Sequence, residues 1–292
     1  KEGATLAVNK VFRVAKNEYI KWLTNPKLII FVVLIVFAYD YVILDLLEAA
    51  DKMGVKLQIF EGFIGISNSR LLLMIIPIVF VGLMGDFPRI DANAMFYIHR
   101  VGKSNWLLGE MLFALMASAT YLVAILGFSV VSLAGSAYVT NSWSKVTTHY
   151  YLFAPNDYAS NVANLTTGRL YNNLKPTSAM IHIVVVMLLF LFMISMILLA
   201  FFVCKARLFG VILACGVLCI GNVLAYIETG VRWLFPNAHA IMELHFDEIY
   251  RKPIMDMRVS YLYYILCIVV LTGIVFWFVD NYDFTKIDEL EE

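Results

Sequence analysis

The chain has 292 residues, 61% of them hydrophobic and only 15% charged, with 22 Lys and Arg balanced by 22 Asp and Glu. With a mean hydropathy of +0.79, a soluble globule would expose far too much apolar surface, so the solvent this composition calls for is a bilayer. A formal charge of zero excludes a nucleic-acid surface, which needs Lys and Arg clustered in excess over acids.

The first predicted element is an amphipathic helix over residues 11–23, with Phe12, Ala15, Tyr19, Trp22 and Leu23 on one face and Lys10, Arg13, Asn17, Glu18 and Lys21 largely on the other. Such a helix lies in the inner headgroup layer, as a plain anchor or as an elbow that also borders a partner subunit. Six apolar runs follow, at 28–47, 71–85, 106–133, 177–203, 208–226 and 259–279. Runs near 20 residues match a hydrocarbon thickness of roughly 30 Å, and the roughly 10-residue alternating segments of a membrane barrel are not seen. The expected fold is therefore an all-α membrane protein of six transmembrane helices, with an interfacial helix region at 1–27 and a membrane domain at 28–279. The second run is short and contains Pro77, so its helix is kinked or extends back past Arg70 into residues 60–66. The first run is too long for a signal-peptide core and has no small-residue cleavage site after it, so it is expected to stay in the mature protein.

Lys and Arg orient the spans. With the N-terminus inside, the cytoplasmic segments hold Lys1, Lys10, Arg13, Lys16, Lys21, Lys27, Arg89, Arg100, Lys103, Lys205, Arg207 and Lys286, the majority of the 22. Both termini are then cytoplasmic, residues 134–176 and 228–258 form external loops, and 280–292 is a solvated acidic tail.

Within the first run, Asp40 lies about 18 Å along the helix from Leu28 and Asp45 sits near the outer end. A carboxylate at that depth costs a few kcal/mol unless it meets a polar cavity or partner, so Asp40 is expected to point inward. It either pairs near the outer interface with Tyr39 and Tyr41 or contacts a cationic substrate or ion, which makes Asp40, Asp45 and Tyr41 candidates for the path. Aromatic residues gather in the 134–176 loop: Tyr138, Trp143, Tyr150, Tyr151, Phe153, Tyr158 and Tyr171. They form an interfacial belt and loop core, or an external gate for an amphipathic substrate.

Soluble-enzyme chemistry finds no anchor. Gly102-Lys103-Ser104 imitates the end of a phosphate-binding loop, but Tyr97 stands where the first glycine is needed. His239, Glu243 and His245 lack the HExxH spacing of a helical zinc site and are expected to be solvated loop residues. Cys204, Cys215, Cys219 and Cys267 lie in or beside apolar runs and imply neither a disulfide framework nor a metal site.

Residues 86–104 join the second and third runs. Pro88 suits a first helical turn, and Ile90, Ala94, Tyr97 and Ile98 recur at helical spacing, so a short amphipathic helix is predicted across the cytoplasmic mouth. With its basic amphipathic start (Phe12 to Trp22), six spans, Asp86 after span two, and the stretch from Arg100 through Gly102, Lys103 and Leu108-Gly109-Glu110, the chain resembles the permease subunits of type-2 ATP-binding-cassette exporters. Glu110 stands where similar permeases often carry Lys. The resemblance implies that segment 86–104 is a coupling helix seated in a separate ATPase chain, with Asp86, Arg89, Asp91, Tyr97 and Arg100 as coupling residues. It implies a second permease subunit, paired with this one in a bacterial plasma membrane. ATP and Mg would be bound by the ATPase and no cofactor by this chain, which is itself not an enzyme. The implied activity is export of an amphipathic substrate (peptide, drug-like compound or lipid) by alternating access. The alternatives are sodium export, or a non-transporting polytopic protein such as a sensor or immunity subunit or an intramembrane enzyme.

Overall fold

The computed structural model describes residues 2–89, 98, 100–157, 160–227 and 229–279. Its helices of eight or more residues are α1 (Glu2–Leu23), α2 (Leu28–Ala38), α3 (Asp45–Met53), α4 (Glu61–Asn68), α5 (Arg70–Leu83), α6 (Lys103–Leu133), α7 (Lys145–Phe153), α8 (Pro176–Val203), α9 (Arg207–Ala225) and α10 (Met257–Val279). A π-helical turn, Tyr39–Leu44, joins α2 to α3. The stretch from Leu28 to Met53 is therefore one apolar helix, ended by Gly54 in the left-handed conformation at φ 62°.

Five helices are long and apolar enough to cross a membrane: Leu28–Met53, α6, α8, α9 and α10. The second apolar run is instead a pair, α4 and α5, bent by 83°. Pro77 is not the cause, since it sits buried inside continuous α5. The chain turns at Ser69, which is extended (φ −62°, ψ 124°) and whose hydroxyl accepts from the Leu72 amide to cap α5.

α8 is the axis of the bundle. Of its most apolar stretch 67% is buried, against 17–39% for the other four long helices, and it packs on α4, α5, α6, α9 and α10. Apolar burial drives no helix pairing in lipid, so close contact and satisfied polar groups must hold the bundle. Tyr121 illustrates both, with its ring between Phe31 and Phe80 at 5.0 and 5.2 Å and its hydroxyl donating to the Ile76 carbonyl at 2.8 Å.

α1 packs against α6, and its circumference divides into three sectors. Val14, Ala15 and Trp22 are buried, with the Tyr19 hydroxyl 2.7 Å from that of Thr120 on α6. Lys10, Arg13 and Asn17 are exposed, as their spacing predicts. Phe12 and Leu23, on the predicted apolar face, are exposed with Val8 and Ile20, and the stripe buried against α6 lies beside them. Gly109 makes that contact possible, since a Cβ there would stand 2.4 Å from the Val14 Cβ. Glu110, next to it, is buried near Glu18 and Lys21.

Loops and short helices cap one end of the bundle. A two-residue parallel ladder pairs Leu57 with Ala137 and Gln58 with Tyr138. The buried Glu61 carboxylate accepts from the Gln58 amide at 3.0 Å and the Ser144 amide at 2.7 Å, tying this ladder to the start of α7. The expected loop core includes Tyr150, buried and donating to Asp157 at 2.6 Å, and Trp143, donating to the Leu174 carbonyl at 2.7 Å. Tyr151 and Phe153 are exposed, and Tyr158 lies outside the described residues.

His239 and His245 are not solvated, contrary to expectation. Both are buried because both rings reach the Ser260 hydroxyl at the start of α10, at 2.8 and 2.7 Å. Their other ring nitrogens face the carbonyls of Trp233 and Ile241. Burial lowers both imidazoles, His245 to about 4.

Candidate functional site

Polar groups concentrate at the two ends of the bundle. At the end opposite the loop cap, Asp86 follows α5 and gathers three cations from different elements. Lys27, between α1 and α2, lies at 2.6 Å; Arg89 at 3.6 Å; and Arg207, the first residue of α9, at 4.0 Å. Arg89 also donates to the Lys21 carbonyl at 3.2 Å, and Arg207 to the Gly85 carbonyl at 2.9 Å. The hydrogen bond from Lys27, reinforced by the charges of Arg89 and Arg207, holds the Asp86 carboxyl below its ordinary range. Asp86 and Arg89 together thus tie α1, the first long helix, α5 and α9. Of the other residues singled out in this segment, Arg100 is helical and exposed, while Asp91 and Tyr97 lie outside the described residues.

Tyr41, Asp45 and Asp40 do not form one path. The inward stripe of the first long helix is Leu34, Ala38, Val42, Ile43 and Leu46. Asp40 stands two residues from both Ala38 and Val42 and so emerges on the far side, exposed. Its expected inward orientation is corrected accordingly. Asp45 is turned toward the cap, where it accepts from the Asn161 amide at 2.9 Å. Tyr41, stacked on Phe37 at 5.6 Å, reaches a cavity.

That cavity, about 530 Å³, lies at the loop end. Its wall is assembled from Tyr41, the α4–α5 turn (Asn68, Ser69, Arg70), the loop from Asn161 to Arg169, the end of α9 at Tyr226, and Arg232, Glu243 and Glu248 of the last loop. Arg70 lies over the Tyr226 ring at 3.8 Å, Arg232 is 9% exposed beside Trp233, and Arg169 pairs with Glu248 at 3.7 Å. Glu243 accepts from the Thr167 amide at 2.7 Å. Burial outweighs that bond and the charge of Arg169, pushing the Glu243 carboxyl up to about 7. Asn68 is 4% exposed, and neither its amide nitrogen nor its oxygen has a hydrogen-bond partner among the described residues.

Of this wall, sequence reasoning placed Tyr41 among the path candidates and expected Glu243 to be a solvated loop residue, whereas it is largely buried here. The wall's one local signal is the polar triplet Asn68-Ser69-Arg70 between two apolar stretches. Among the described residues no group of three or more His, Cys, Asp or Glu could hold a metal ion.

No protein-family model, curated protein or solved structure matches the chain.

Proposed function

We propose that the chain is the membrane-spanning half of an ATP-driven exporter, working as one of two such subunits with separate ATPase chains. The observation that carries this reading is the Asp86 cluster. A force applied just after α5 reaches the first long helix and α9 through the ion pairs of Asp86 with Lys27 and Arg207, and α1 through the hydrogen bond from Arg89 to the Lys21 carbonyl, which is the linkage a coupling segment needs. The Asp86 end is cytoplasmic in this reading, because positive charge gathers there. Six spans result when the bent α4–α5 pair is taken as one crossing.

Exposed Asp40 supports a second subunit. It has no hydrogen bond or ion pair among the described residues and sits about halfway along the first long helix. At that depth a carboxylate facing acyl chains costs about 3 kcal/mol on insertion scales, a cost that a partner's polar group relieves. The cargo in this reading is an amphipathic peptide, drug-like compound or lipid, moved by alternating access.

Copurification tests the proposal. The tagged chain should retain an ATPase, and Asp86→Asn and Arg89→Gln should reduce substrate-stimulated ATP hydrolysis severalfold while membrane insertion stays intact. A fully active chain with no companion ATPase ends the proposal, and unchanged stimulated hydrolysis in both variants removes the Asp86 cluster from coupling.

A further inference from the structure

The loop-end cavity has the features of a built anion site. Ser69 caps the N-terminus of α5, a 14-residue helix, and lines the cavity, so the positive end of that helix is directed into it. Three guanidinium groups, Arg70, Arg169 and Arg232, and two carboxylates, Glu243 and Glu248, line the same space. Both carboxylates are engaged, Glu243 by the Thr167 amide and Glu248 by Arg169. The independent observation is Asn68, buried in the wall with both amide atoms unpartnered among the described residues. A buried unpaired amide costs about 1–3 kcal/mol, and a ligand presenting both an acceptor and a donor relieves it. An oxyanion with an attached hydroxyl does both. A cavity of about 530 Å³ falls in the size range of small-molecule sites and has room for more than a bare anion.

We propose that this cavity binds a phosphate ester carrying a polar, hydroxyl-bearing body, with the phosphate at the α5 N-terminus beside Arg70 and the body against Asn68. The same chemistry is offered by a soluble phosphate ester and by the headgroup of an anionic phospholipid. The proposal does not depend on the transport reading, because binding is read on the chain itself.

The test uses the full chain in neutral detergent and in nanodiscs. Thermal-shift and calorimetric titrations would compare glycerol 3-phosphate with glycerol, and nanodiscs of phosphatidylglycerol with nanodiscs of phosphatidylcholine. Saturable binding of glycerol 3-phosphate but not glycerol supports a soluble source. Stabilisation by phosphatidylglycerol alone supports a lipid source. Arg70→Gln should weaken whichever is bound at least tenfold and Asn68→Ala severalfold, with partial recovery in Arg70→Lys. Lys145→Gln, an exposed charge at the same end but outside the cavity, should change nothing. The proposal is overturned when the wild-type chain discriminates in neither pair. It is equally overturned when Lys145→Gln weakens binding as much as Arg70→Gln, which would mean diffuse attraction. The two wild-type comparisons decide the matter even where a variant fails to fold.

Discussion

Substituting Gly109 tests whether α1 belongs to the folded bundle or merely rests nearby. In Gly109→Ala the added Cβ meets the Val14 Cβ at 2.4 Å, its Cγ1 at 2.6 Å and the Val11 carbonyl oxygen at 3.1 Å. Carbon atoms pack at about 3.5–4.0 Å, so α1 must retreat by more than about 1 Å. Because the obstacle is the Val14 Cβ rather than the tip of a long side chain, no rotamer change relieves it. Overpacking of this kind costs about 1–3 kcal/mol. At about 2–4 °C per kcal/mol, the unfolding midpoint in detergent should fall by roughly 2–12 °C. Val14→Gly removes the obstacle and is itself destabilising by about 2–4 kcal/mol through lost packing and helix entropy. The double variant should be more stable than the sum of the two losses by at least about 1 kcal/mol, since the small residue has only moved to the facing helix. Strictly additive losses, or an unchanged midpoint in Gly109→Ala, would refute the close α1–α6 contact.

Three further outcomes follow. Glu243 has a carboxyl raised to about 7 from its usual 4.5, so its favourable contribution is complete below pH 4.5 and is lost as pH rises through 7; Glu243→Gln should flatten the unfolding midpoint between pH 5 and 8, and an unaltered slope would place the titration elsewhere. Glu61→Ala leaves the Gln58 and Ser144 amides without their acceptor, a loss of about 2–5 kcal/mol to be read as faster proteolysis near Ser144, and Glu61→Gln should be milder because one carbonyl oxygen remains. Asp40→Leu should weaken self-association in liposomes at least tenfold when measured by photobleaching at increasing dilution; unchanged association would remove Asp40 from a subunit interface.

The long helices were legible because a membrane span is written locally, as an unbroken apolar run of sufficient length. α8 and α10 begin within two residues of the predicted runs at 177 and 259. The turn at Ser69 was less legible. Proline is the stronger sequence signal, and Pro77 drew attention from a serine whose cap shows only once the backbone is extended. Which stripe of α1 meets the bundle was not legible, because apolar residues cover more than half its circumference and only the position of α6 selects among them. The cavity was the least legible feature. Tyr41, Arg70, Arg169 and Arg232 are scattered over most of the chain, and each by itself resembles an ordinary interfacial or loop residue. Asp40 carried the right alarm, a charge deep in an apolar helix, but its direction depends on which stripe the bundle takes.

The turn at Ser69 also bears on voltage. α5 has 14 residues and is about 21 Å long, some 9 Å short of a hydrocarbon layer about 30 Å thick. With its far end at one surface of a bilayer, the cavity floor at Ser69 and Arg70 lies roughly a third of the way in from the other. An elementary charge held there would feel a corresponding share of the transmembrane potential, about 0.7 kcal/mol per 100 mV. Occupancy by a charged ligand would therefore shift about threefold when a 100 mV potential is imposed or collapsed.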